Sequence, residues 1–148
     1  MSCAGGSCGE RIQKSEIDKW TTSINQMFIS ETGRQKFLNF LAEREMGEEV
    51  LTVHFWEKCD SIQKKISQRE LPRNELIRKL DELVELADEH INFSLSEMNY
   101  LRNVLQERDS VKICDTLTRA KTSATRLLDR HHKIFSEQIL REYKNRCH

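Results

Sequence analysis

The stretch LPRNELIRKLDELVELADEHI, residues 71–91, decides the class of fold. Leu76, Ile77, Leu80, Leu83, Val84, Ala87 and Ile91 return at steps of three and four, which places them on one face of a helix. Arg78, Asp81, Glu82, Glu85 and Asp88 fill the other side. Pro72 marks the start: its fixed φ suits a first helical turn, where its missing N–H leaves no bond unmade.

The same period spreads outward in both directions. Toward the N-terminus, Leu51, Phe55, Cys59, Ile62 and Ile66 form a stripe of four or more turns, with Trp56 beside it. Met46-Gly47 interrupts, and Phe37, Leu38, Phe40 and Leu41 make a shorter helix before that. Ser30–Gly33 reads as a break. Ile17, Trp20, Ile24, Met27 and Phe28 read as one helical face that begins near Ser15.

Toward the C-terminus the chain turns at Asn92–Ser94. Ser94 and Glu97 have the spacing of a capping box, in which each side chain satisfies the other's free backbone N–H. Met98, Leu101, Val104 and Leu105 follow, then a charged loop at Glu107–Asp109. Ile113, Leu117, Ala120, Ala124, Leu127 and Leu128 make another face. Asp129–His132 reads as a break, and Ile134, Phe135, Ile139, Leu140 and Tyr143 as a short closing helix. No period-two alternation and no repeat interrupts this order. The expectation is an all-α compact bundle of about nine helices over residues 15–145, preceded by a flexible tail, residues 1–14.

Composition narrows the function. One proline and five glycines, three of them in the first nine of 148 residues, leave too little punctuation for a many-stranded β fold. Lys plus Arg equals Asp plus Glu at 24 each, so no long-range basic field suits a dedicated nucleic-acid binder. Five cysteines, an odd number with no signal peptide before them, fit the reducing cytosol. No apolar run reaches the roughly 18 residues of a membrane span, which fits a soluble chain. Cys3 and Cys8 are candidate acylation sites that would hold the chain at the inner face of the plasma membrane. An unmodified tail is the plainer reading.

No residue pattern points to chemistry. Gly5, Gly6 and Gly9 follow no strand, so there is no phosphate loop. His131 and His132 are adjacent and point about 100° apart on a helix, which is wrong for one metal and fits a solvated corner. His54 and His90 stand alone. Glu43, Glu45, Glu48, Glu49, Glu82 and Glu85 read as solvated faces, and Trp20 and Trp56 as core. These features describe a helical interaction module with no cofactor and no metal, expected as a monomer.

The order of several short strings resembles the regulator of G-protein signalling (RGS) domain. Lys19-Trp20 with Ile24 resembles its tryptophan-led opening, and Phe37-Leu-Asn-Phe40-Leu41 its short core helix. Glu45-Met-Gly-Glu48-Glu49-Val50, then Phe55-Trp56, is similar to its acidic corner and Phe-Trp helix. Ile91-Asn92-Phe93 and Arg102-Asn103-Val104-Leu105 match its second half, and Leu117–Leu128 with Ile134-Phe135 and Tyr143 its closing helices. The resemblance covers residues 16–144.

It implies a domain that grips the switch regions of a GTP-bound Gα subunit and has no catalytic residue of its own. Holding the switches in the transition-state geometry lowers the hydrolytic barrier by differential binding. The implied contacts are Glu45, Glu48, Glu49, Val50, Asn92, Leu127, His131 and Lys133. Val50 stands where the family has an asparagine beside the water-orienting glutamine, and valine forms no such hydrogen bond. Two residues are inserted before Phe55. His131 or Asp129 replaces an aspartate, and Lys133 an arginine, whose planar fork lysine does not reproduce. GTPase activation is therefore expected to be weakened. An axin-type scaffold that binds a peptide or another signalling protein is the alternative. Independently of the resemblance, Glu48 and Glu49 also suit a helix N-terminus and Asn92 a turn before the Ser94 cap.

Overall fold

The computed structural model describes residues 12–146. Cys3, Cys8 and Cys147 lie outside them. Every regular element among the described residues is helical: α1 (Lys14–Thr22), α2 (Ile24–Ile29), α3 (Glu31–Glu43), α4 (Gly47–Ser67), α5 (Arg73–His90), α6 (Leu95–Arg102), a 3₁₀ segment (Asn103–Gln106), α7 (Ser110–Leu127) and α8 (Asp129–Arg146). The chain is all-α, as its periodicity indicates. The described residues form two compact units: 12–37 together with 130–146, and 38–129.

In the first unit, the face read as one helix is split. Ser23 takes an extended conformation and its hydroxyl accepts the Gln26 N–H at 3.3 Å, which ends α1 and caps α2. The break at Ser30–Gly33 shrinks to Ser30 alone. Its Oγ accepts the Gly33 N–H at 3.0 Å, and Gly33 lies inside α3. Glycine is required there by space, not by φ: a Cβ would stand 2.8 Å from Trp20 Nε1 and 2.9 Å from the Met27 carbonyl oxygen. Trp20, Met27, Phe28 and Phe37 are fully buried. Phe37 packs edge-on against Phe28 at 6.1 Å and Phe135 at 5.4 Å between centroids.

The closing helix is not short. α8 runs 18 residues and follows α7 after a single residue, Leu128. The expected break at Asp129–His132 is thus α8's first turn, and His132 is not solvated. It is buried, and its Nε2–H donates to the Trp20 carbonyl at 2.6 Å. The carbonyl can only accept, so this contact fixes the proton on Nε2.

The second unit has a continuous core of Phe55, Cys59 and Ile62 on α4, Leu76, Leu80, Leu83, Val84 and Ala87 on α5, and Ile113, Leu117, Ala120 and Ala124 on α7. Met98, Leu101 and Val104 close it from α6 and the 3₁₀ segment. Ile77, read as part of the α5 core face, is instead 43% exposed. α4 packs most extensively against α7, and also against α5. Burial of the Cys59 thiol pushes its pKa far above the ordinary value, so it behaves as a small apolar group.

Both α3 and α4 end in the same way. Met46 N–H reaches the Leu41 carbonyl at 3.1 Å while Glu45 N–H reaches Ala42 at 3.0 Å. Glu70 N–H reaches Lys65 at 3.0 Å while Arg69 N–H reaches Ile66 at 3.1 Å. These are Schellman closures, and their left-handed residues are Glu45 (φ 56°) and Arg69 (φ 55°), where glycine is usual.

Candidate docking site

The second unit places three of the implied contact segments at one end, and its helix registers show how. Gln63 Nε2 donates to the Cys114 carbonyl at 2.9 Å and to Thr118 Oγ1 at 2.8 Å. Lys121 Nζ donates to Asp60 Oδ1 and Gln63 Oε1, both at 2.9 Å, and lies 4.6 Å from the Trp56 ring centroid. Partners on α4 thus retreat from Gln63 to Trp56 as those on α7 advance from Cys114 to Lys121. The two helices are antiparallel, so Leu127 at the end of α7 stands beside the opening turns of α4. The short link at residues 68–72 likewise returns the end of α5 to that side. Phe93, just past α5, packs edge-on against Phe55 at 5.3 Å.

At the α4 opening, Glu45 is exposed in its left-handed corner, and Glu48 and Glu49 lie in the first turn, where the helix dipole favours carboxylates. The Glu48 carbonyl accepts Thr52 Oγ1 at 2.9 Å. Val50 is half-buried, and its N–H donates to Met46 at 3.0 Å as part of the helix start. Its side chain offers only apolar contact.

Asn92 is held by backbone. Phe93 N–H donates to the Ile91 carbonyl at 2.9 Å, a three-residue γ-turn with Asn92 at its apex. The next residue is fixed by the expected capping box: Ser94 Oγ accepts Glu97 N–H at 3.1 Å and Glu97 Oε1 accepts Ser94 N–H at 2.9 Å. The Ser94 N–H, with Ser123 and Ser94 hydroxyls and the Arg126 charge, holds the Glu97 carboxyl below its ordinary pKa against a small burial cost. The Asn92 side chain is exposed and bonds to no described residue. A rigid corner thus displays a free amide.

Leu127 is 38% exposed. His131 and Lys133 belong to the first unit, on α8: His131 half-buried, Lys133 exposed. Two features of the second unit were not read from the sequence. Leu95, the first residue of α6 and three beyond Asn92, is 75% exposed. Its place directly after a capping serine was the available signal. The other is an open groove of about 390 Å³ between α4 and α5, lined by Leu51, His54, Glu57, Lys58, Ser61 and Leu86. His54 Nδ1 and Glu57 Oε1 meet there at 2.9 Å.

Among the described residues, no group of three or more His, Cys, Asp or Glu is placed to hold a metal ion. None of their helices is long and apolar enough to cross a membrane. Comparison with protein families, with characterised proteins and with solved structures gives no match for this chain.

Proposed function

We propose that this chain is an RGS-like signalling regulator whose second unit docks the switch regions of a GTP-bound Gα subunit. The supporting observation is Asn92: an exposed amide with no described bond, fixed between a γ-turn and a capping box, at the end of the unit that also carries Glu48, Glu49 and Leu127. The corner's backbone is already held, so binding has only the Asn92 side chain left to order there. In this reading Glu45, Glu48 and Glu49 face basic switch residues, and Leu127 supplies apolar contact. The chain performs no catalysis of its own.

The test is retention of the chain by a panel of Gα subunits loaded with GDP or with GDP and aluminium fluoride. Stronger retention by the fluoride form, weakened about tenfold by Asn92→Ala, is expected, since a buried Gα group would lose its partner. Equal retention in both states, or none, removes the reading.

A specific observation favours a second reading, a scaffold of the axin type. Val50 presents no polar group at the position that should touch the water-orienting glutamine, while the Leu51–Leu86 groove offers a separate place for a peptide. That reading expects binding to a signalling partner independent of nucleotide.

A further inference from the structure

The groove between α4 and α5 has two half-buried leucines, Leu51 and Leu86, as its apolar part. Its α4 side runs from Leu51 to Ser61, about 15 Å, the length of three helical turns and more than a small ligand would cover. His54 and Glu57 lie between those ends and meet at 2.9 Å. On α5, Glu82 and Glu89 stand four residues before and three residues after Leu86, so they share its side of the helix. Both are exposed and only loosely engaged, Glu82 with Arg78 at 3.9 Å and Glu89 with His90 at 3.7 Å. Lys58 is the one cation that lines the groove.

Charge is unevenly spread over the second unit. Residues 81–97 hold six carboxylates and no lysine or arginine, and residues 43–57 hold five carboxylates and one arginine, Arg44. The Arg44 guanidinium lies 4.0 Å from the Phe40 ring centroid. The rest of the unit has 13 cations against seven carboxylates. The α4–α5 hairpin brings the two acidic runs to the same end, and Leu51, His54, Glu57 and Leu86 all belong to them. Arg102 reaches one of these carboxylates, Asp88, but at about 100° per residue Asp88 lies on the far side of α5 from Leu86. The groove is thus an apolar strip inside the acidic end of an otherwise cationic unit.

We infer that this groove docks a cationic amphipathic helix of a partner protein, about three turns long. Its aliphatic side chains cover Leu51 and Leu86, and its lysines or arginines meet Glu82 and Glu89. Complementary charge steers such a segment to this end, and an acidic segment meets like charge there. The inference deepens the scaffold reading, on which it rests for the use of the groove, and needs no contact from Asn92.

The test is fluorescence anisotropy of labelled synthetic peptides titrated with the full chain. One peptide of about 14 residues carries leucines at steps of three and four with lysines elsewhere. A second has glutamate for each lysine, and a third has serine for each leucine. The lysine–leucine peptide is expected to bind and to shift the Leu51 and Leu86 methyl signals in NMR spectra. Glu82→Lys with Glu89→Lys should weaken it about tenfold. Asp81→Lys with Glu85→Lys makes the same change in net charge about 100° or more around α5 from Leu86, and should weaken it less than about threefold. The serine peptide should bind several-fold more weakly than the lysine–leucine peptide. All four substituted positions are exposed, and unchanged circular dichroism will show that the variants fold. Equal loss in the two variant pairs overturns the proposal. Binding of the glutamate peptide with the same methyl shifts overturns the cationic partner and leaves the scaffold reading standing, whereas no binding of either charged peptide removes the groove from both. Self-association of the chain that Glu82→Lys with Glu89→Lys abolishes would make the occupant a second copy and overturn the partner.

Discussion

Lys121 on α7 places its ammonium 2.9 Å from the Asp60 carboxylate on α4. The same nitrogen donates to Gln63 and lies over the Trp56 ring. Both side chains are mostly buried, at 18% and 22% exposure, so water screens this pair less than a surface bridge. Lys121→Met keeps the stem but removes the charge and two hydrogen bonds. It leaves Asp60 with Lys64 alone, and should cost about 2 kcal/mol in urea unfolding.

The same pair sets a dependence on pH. Burial alone would raise the Asp60 pKa, but hydrogen bonds and charge from Lys64 and Lys121 outweigh it and hold the value below the ordinary 3.8. Glu97 is held below its ordinary 4.5 in the same sense. The unfolded chain therefore takes up these protons at higher pH than the folded chain. The stabilisation is complete above about pH 5 and is lost as pH falls through the folded values, which lie under the ordinary ones of both groups. Urea midpoints measured from pH 6 to pH 3 should drop, and less steeply for Asp60→Asn.

Gly33→Ala should destabilise the first unit, although alanine usually outranks glycine in a helix by up to about 1 kcal/mol. The new methyl would meet the Met27 carbonyl at 2.9 Å, and backbone cannot swing aside. A loss of about 1–3 kcal/mol is expected from overpacking, read as a lower Tm with weaker Trp20 near-ultraviolet signal.

Arg69→Gly should act in the opposite direction. A left-handed conformation costs an L-residue about 1–2 kcal/mol, and glycine returns part of that as unfolded-state entropy. Arg69 is exposed, so a net gain of about 0.5–1 kcal/mol is expected in the urea midpoint.

Val50→Asn tests the proposed docking site directly. If the side chain at this position limits GTPase stimulation, single-turnover hydrolysis by a bound Gα subunit should rise. An unchanged rate would assign the limit to the two residues inserted before Phe55.

How much of this was legible beforehand follows from what carries each signal. α4, α5 and α7 bury broad stripes, and the stripes of Phe55, Leu80 and Leu117 state their period plainly. The Ser94 cap was legible because it needs only two residues at fixed spacing. Helix breaks were not. Ser23 splits a continuous apolar face by its backbone conformation, and Gly33 reads as a breaker although it is there to admit Trp20. His132 looked like a solvated corner because its acceptor, the Trp20 carbonyl, is 112 residues away. In the candidate site, the Asn92 corner was readable from its neighbours. The register that brings Leu127 to the same end was not, because it depends on Gln63 and Lys121 bonding across two helices.

The buried Cys59 thiol makes α4 a timer for its own opening. Alkylating reagents cannot reach a side chain with no exposed surface, so modification waits for α4 and α7 to part. Cys114 is half-exposed on α7 and reacts without that wait, which supplies a reference on the same molecule. The ratio of the two labelling rates would report how often the core of the second unit breathes, and whether a bound partner slows it.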